Sequence, residues 1–315
     1  MGEFSLKEET RNGFVVTEQR KKIWKCELDI FQRLLEVCKK YDLNCWLDSG
    51  SLLGAVRHHG FIPWDDDIDI VMMRDDYDKL MEIGPQEFSR PFFFQSAYTD
   101  KSYFRGHVQI RNSDTTAILP YTYDREFNQG IFIDVFPLDG LPEDIKEQKE
   151  LEEQSFRKLC IMQSYHHIDM LGIKQLLSSI VNCLKANNEI DKVGFINYYK
   201  AYEDMFRKQP VKESLYVTKL SAFKTKYSGI NKHFFDETIW MDFENIKVPV
   251  PKEYDSYLRM MYGDNYMTPL QAMSLHGEVF FDTEHSYQDY LPSHRGMFVR
   301  MILSQKIKKL LHRKP

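Results

Sequence analysis

Leu47-Asp48-Ser49-Gly50-Ser51-Leu52-Leu53-Gly54 opens, and Trp64-Asp65-Asp66-Asp67-Ile68-Asp69-Ile70-Val71-Met72 closes, the stretch of sequence that decides the fold. In an extended chain, side chains two apart share a face, so an extended 67–71 projects Asp67 and Asp69 together while Ile68 and Ile70 enter a core. Two adjacent carboxylates repel. A hard divalent cation with octahedral oxygen coordination removes that repulsion and gives the pairing a reason. The Gly50-Ser51 turn, sixteen residues before Asp67, supplies the other half of a phosphate site. Gly admits close backbone approach, Ser51 offers a hydroxyl, and amides at a helix start attract anions. Arg57 adds a bidentate phosphate contact one to two turns later. Asp48, Asp66 and Trp64 flank these groups and are further candidates. An EF-hand calcium loop is excluded, because its Gly and distal Glu are absent.

Outward from this centre, residues 18–41 carry apolar side chains at Ile23, Ile30, Phe31, Leu34, Val37, Cys38 and Tyr41, the spacing of a long amphipathic helix. Strands are expected at 44–47, 68–73, 92–97, 107–111 and 131–136, with a brief helix at 52–57 and Pro137, Gly140 and Pro142 ending the last strand. Asp134 sits in the apolar run Ile131-Phe132-Ile133-Asp134-Val135-Phe136. Buried and unpaired it would cost several kcal/mol, so it is expected to face the metal or the nucleophile. From 143 to about 186 the sequence turns helical, with a break at Gly172, and a further helix follows near 196–206. Short strands are expected at 215–220 and 246–250, the second closed by Pro249 and Pro251.

Early strands and later helices predict an α+β fold, a sheet domain with a helical subdomain packed against it. The segments are a catalytic core over 18–140, a helical insertion over 141–210, the remainder of the domain over 211–295, and a basic tail over 296–315. Arg300, Lys306, Lys308, Lys309, Arg313 and Lys314 give that tail six positive charges. Its apolar residues recur at near-helical spacing, as in a helix docked on the body or lying on an anionic membrane surface. The net charge of −5 over 315 residues argues against a nucleic-acid partner. The five cysteines show no zinc spacing and read as free thiols, and no stretch approaches the length that spans a bilayer. A cytoplasmic protein, at most peripheral on the inner membrane leaflet, is expected.

The run from Leu47 to Met72 resembles the LicD family of bacterial phosphotransferases, a branch of the nucleotidyltransferase-fold superfamily that includes fukutin-related proteins. The resemblance continues through Gln109-Ile110-Arg111-Asn112-Ser113-Asp114-Thr115, through Gly130 to Gly140, and through Pro251 to Met267, reaching about His276. It implies a nucleotidyltransferase-like mixed sheet with flanking helices. It implies transfer of phosphocholine, or a related phospho-substituent, from a CDP-activated donor to a sugar hydroxyl of a surface glycan, a lipid-linked glycan or a teichoic acid precursor. By the same analogy Asp67 and Asp69 bind Mg²⁺, with Mn²⁺ as the alternative ion. Gly50 and Ser51, with Arg57 and Arg111, hold the donor phosphates. Asp134 is the third carboxylate, Asp139 competes for that role, and His276 is a further candidate. Choline favours an aromatic enclosure, for which Trp64, Tyr103, Phe104, Tyr121 and Tyr123 lie near the motifs. Three rivals stand beside this reading. They are a nucleotidyltransferase releasing pyrophosphate from an NTP, a sugar-nucleotide glycosyltransferase, and a non-catalytic nucleotide-binding regulator.

Overall fold

Thr17 accepts a hydrogen bond from the Arg20 amide at 3.2 Å and starts helix α1, Glu18–Tyr41, which Asp42 ends in the left-handed conformation at φ 55°. The expected apolar stripe is the buried one, with Ile23, Ile30, Phe31, Leu34 and Val37 packed toward the central sheet. These coordinates come from a computed structural model that describes residues 3–168, 173–220, 229–269, 279–291 and 296–300. Gly172, His276 and the tail from 301 onward lie outside the described residues.

Among the described residues, seven strands form the mixed central sheet. They are β1 Trp46–Leu47, β2 Asp69–Met73, β3 Phe92–Gln95, β4 Val108–Asn112, β5 Ile131–Gly140, β6 Tyr216–Thr218 and β7 Ile230–Asn231. The axis is β5, buried along its whole length. Its parallel neighbour β2 pairs with it from Asp69↔Asp134 to Met73↔Leu138, and β1 lies antiparallel beyond. On its other side β5 takes two antiparallel partners in succession. The first is β4, along 131–135, with β3 beyond it; the second is β6, at 139–140, with β7 beyond.

The sequence predicts that Pro137 ends β5, yet the strand runs through it. The Asp134 amide donates to the Ile68 carbonyl at 3.0 Å on the β2 side, so odd-numbered amides point the other way. The missing N–H of Pro137 therefore falls between Val135, the last residue paired with β4, and Asp139, the first paired with β6, where no ladder bond is lost. Pro249 likewise lies inside the strand Ile246–Pro251, and Pro251 forms its last residue. That strand belongs to a two-stranded ribbon with Thr238–Phe243.

Helices α2 Ser49–His58 and α3 Arg74–Glu87 follow β1 and β2 directly. The middle of the chain folds as α4 Ile145–Ser164, α5 Ile173–Ile190 and α6 Phe195–Phe206, and α7 Tyr254–Tyr262 comes later. The middle helices bury Met162, Tyr199, Tyr202 and Phe206 in a cluster apart from the main core, together with Tyr103 and Phe127. Each such large side chain contributes about 2 kcal/mol through its burial. The helical layer is tied to the sheet by charge as well. Arg74 donates to Asp139 through Nε at 2.6 Å while its guanidinium lies 5.8 Å from the Phe206 ring. All five cysteines are free, and among the described residues no helix is long and apolar enough to cross a membrane.

Candidate active site

The parallel register puts Asp69 of β2 directly beside Asp134 of β5, so their side chains share a face. Gln109 of β4 pairs with Asp134 on the other side, and Gln95 of β3 pairs with Gln109. One row of polar side chains thus crosses four strands of an otherwise apolar sheet. Asp134 Oδ1 accepts from Gln109 Nε2 at 2.7 Å and lies 2.8 Å from His107 Nε2. Burial lowers the pKa of His107, so the ring is neutral at pH 7 and donates through Nε2–H. The two donors hold Asp134 as an oriented carboxylate on a buried strand.

Asp67 lies just before β2, in a loop whose carboxylates converge. One oxygen from each of Asp65, Asp66 and Asp67 falls within 4.8 Å of the others. Helix α1 fixes the loop, because Arg20 Nη1 and Trp24 Nε1 both donate to the Asp65 carbonyl, at 2.7 and 3.0 Å. The same helix adds a further acid. Glu27 is buried, and its Oε2 has no hydrogen-bond partner. This all-oxygen, all-anionic donor set fits Mg²⁺ or Mn²⁺.

The electrostatics of the metal-free cluster are repulsive. Burial, then Asp67 and Asp134, raise the pKa of Asp69 well above the ordinary carboxylate range. Burial, then Asp67 and Asp66, do the same to Asp65, and Glu27 is raised by burial and by all three loop acids. These groups hold protons more tightly folded than unfolded. Their contribution to stability is full below the unfolded pKa of about 4 and is lost as the pH rises through the raised values. Calorimetry of metal-free protein at rising pH should therefore show a shallower fall in melting temperature for Asp69→Asn than for the wild type. Equal slopes would dissociate Asp69 from the effect.

Helix α2 begins one residue earlier than the Gly-Ser turn. Ser49 adopts φ 49°, a strained left-handed conformation for a residue other than glycine, and Asp48 is the N-cap without capping through its side chain. The fully buried Asp48 carboxylate turns instead to Lys219, to Ser49 Oγ at 2.9 Å and to the Tyr257 hydroxyl at 2.5 Å. Despite burial, which favours the neutral acid, Lys219, Tyr257 and Ser49 hold its pKa below the usual range. The α2 amides are thus not capped by the Asp48 side chain. A Cβ at Gly50 would stand 2.7 Å from Asp65 Oδ2 and would push that carboxylate aside. Removing the Lys219 charge in Lys219→Met strands Asp48 and should cost about 3 kcal/mol in urea unfolding. Adding Asp48→Asn should restore part of that loss, and no restoration would mean that the cost lies elsewhere.

Residues 42–158 match the model of the LicD/FKTN/FKRP nucleotidyltransferase domain. The chain contains a LicD-family nucleotidyltransferase domain. The lipopolysaccharide cholinephosphotransferase LicD of Haemophilus influenzae is 27% identical over 247 residues, covering 77% of this chain and 88% of the relative. An uncharacterised protein of Rickettsia prowazekii is 34% identical over 137 residues, covering 44% of this chain and 48% of its own.

Within this LicD-family domain several expected residues serve other ends. Ser51 Oγ accepts from the Asp69 amide at 2.9 Å and donates to the Asp67 carbonyl at 3.4 Å, so it pins the acidic loop to α2. Arg57 Nη1 donates to the Tyr266 carbonyl at 2.8 Å and tethers the segment after α7, where a phosphate contact was expected. Arg111 is fully buried. It donates to Gln95, to Gln109 Oε1 at 2.5 Å and to the Gly130 carbonyl at 2.6 Å, anchoring the polar row from beneath. Asp139 is five residues from Asp134 on one strand, hence on the opposite face, paired with Arg74. Tyr103, Phe104 and Tyr123 are packed in interior clusters and cannot enclose a head group. Tyr121 carries the Arg105 guanidinium 5.7 Å from its ring, a charge that repels another cation, whereas half-buried Trp64 packs edge-on to Phe14 and His58.

Sequence reading missed Glu27, His107, Gln109, Lys219 and Tyr257. Gln109 was within reach, because it alternates with Arg111 on an expected strand. Lys219 and Tyr257 meet Asp48 across 171 and 209 residues, and nothing local announces them.

Proposed function

We propose that the chain is a metal-dependent phosphotransferase moving phosphocholine, or a related phospho-substituent, from a CDP-activated donor to a sugar hydroxyl of a surface glycan. The observation that carries this reading is the Asp69↔Asp134 register, with the converging carboxylates of Asp65, Asp66 and Asp67 in the loop that leads into β2 and is bonded to Ser51 of α2. The name of the Haemophilus relative supports the choice of phosphocholine and of a glycan acceptor.

In this reading Asp67 and Asp69 hold Mg²⁺. An ion held there would neutralise charge on the donor diphosphate and on the departing CMP. Gly50 lets the donor backbone approach α2, and the α2 amides face its phosphate oxygens. Asp134, oriented by His107 and Gln109, accepts the proton of the attacking sugar hydroxyl. No covalent intermediate with the protein is needed.

A second reading has one observation in its favour, since the matched family model describes a nucleotidyltransferase domain. Such an enzyme would attack the α-phosphate of an NTP and release pyrophosphate. Product analysis with CDP-choline, CDP-ribitol, CDP-glycerol, CDP-ethanolamine and NTPs separates the two. Metal-dependent CMP release is the expected result. Pyrophosphate would replace the first reading with the second, and no turnover with any metal and donor would dismiss both.

A further inference from the structure

We infer that Arg105 is a donor-binding residue whose guanidinium takes a phosphate oxygen on the His107 side of the site. The residue keeps 9% of its surface, yet its guanidinium has no carboxylate within ion-pair distance among the described residues. Its one side-chain partner there is neutral, the Tyr121 hydroxyl, which accepts from Nη2 at 2.9 Å. Its Nε is buried without a partner. A guanidinium that stays charged is costly to bury without an anion, and such a group marks the place where an anion belongs.

The surrounding bonds show that this arrangement is built. The Arg105 carbonyl accepts from the Tyr199 hydroxyl at 3.0 Å, and the His107 carbonyl accepts from the Tyr103 hydroxyl at 3.0 Å, so helix α6 and the loop itself fix the backbone on both sides of the arginine. Two residues on, His107 reaches Asp134. Burial disfavours the Arg105 charge, but Tyr121, Tyr103 and the Asp134 carboxylate outweigh it and raise the pKa, so the guanidinium stays charged. An ion held by Asp67 and Asp69 would have its charge offset by those two carboxylates, so the two negative charges of a donor diphosphate call for a further cation, and a planar guanidinium is suited to a phosphate oxygen pair. Arg57 and Arg111, the two arginines expected at the phosphates, are committed to protein carbonyls and amides, whereas Arg105, not expected there, is not.

The identity of the anion as a CDP donor rests on the phosphotransfer reading, whereas the anion site does not. The test is calorimetric binding of inorganic pyrophosphate and of CDP-choline, each with Mg²⁺, to wild type, Arg105→Met and Arg105→Lys, together with ligand-free melting temperatures. Wild type should bind both probes. Arg105→Met should weaken both by about 10- to 100-fold, as expected for loss of a charged hydrogen bond, with Arg105→Lys in between. Its ligand-free melting temperature should hold, because the side chain gives up one neutral hydrogen-bond partner and no ion pair. Unchanged affinity in Arg105→Met would overturn the inference, as would failure of the wild type to bind either probe. A lowered ligand-free melting temperature in both variants would overturn it too, by making Arg105 structural. Arginine-dependent pyrophosphate binding without CDP-choline binding would uphold the anion site and sink the CDP-donor reading.

Discussion

Asp69→Asn and Asp67→Asn should each lower metal-dependent CMP release by about a thousandfold or more, equivalent to the several kcal/mol of charge stabilisation that a bound ion supplies. Each substitution keeps the side-chain shape and removes a charge. Asp69 is squeezed between Asp67 and Asp134, and its raised pKa records the cost of ionising it there without a cation. Folding without metal should therefore be unharmed or improved in Asp69→Asn, while activity disappears. That opposition identifies a ligand, since a residue needed for structure would lose both together. Near-normal turnover of either variant at ordinary Mg²⁺ would remove the metal assignment.

The second large effect is a contrast between two acids of one strand. Asp134→Asn keeps an acceptor for His107 and Gln109 but cannot take a proton, so turnover should fall by about 10²- to 10⁴-fold, with donor affinity changed less. Asp139→Asn should leave turnover of the folded enzyme near normal and cost about 3 kcal/mol, because it leaves the buried Arg74 without its main counter-charge. Donor kinetics and urea unfolding on both variants settle the matter. An inactive Asp139→Asn beside an active Asp134→Asn would mean that the third carboxylate has been misassigned.

Much of this architecture was legible because local rules and tertiary demands agree. Helix α1 has the residues expected from its apolar stripe, and β2 begins within a residue of the apolar run that predicts it. The strand at Asp69 could be read from its isoleucines, whereas the convergence of Asp65, Asp66 and Asp67 could not, because these three are consecutive and their loop is shaped by bonds to Arg20 and Trp24 of α1. Strand ends marked by proline misled, since a proline breaks a strand only where a ladder bond is needed, and that depends on neighbours distant in sequence. Arg57 and Arg111 misled for a related reason. An arginine beside a phosphate motif and an arginine filling a buried row of amides look alike until the acceptors are known. Arg105 lies in no phosphate motif, and only the fold shows that its guanidinium meets a tyrosine hydroxyl in place of a carboxylate.

Because Asp134 and Asp139 lie on opposite faces of β5, the stretch between them works as a spacer of fixed length. Loops elsewhere in the chain can lengthen or shorten with little penalty. A single residue inserted between 134 and 139 would turn one of the two acids to the wrong face, detaching the site or unlocking the helical layer from Arg74. Among descendants of this sequence, insertions and deletions should therefore collect in the loops and spare these few positions, even where the residues between the two acids are freely exchanged.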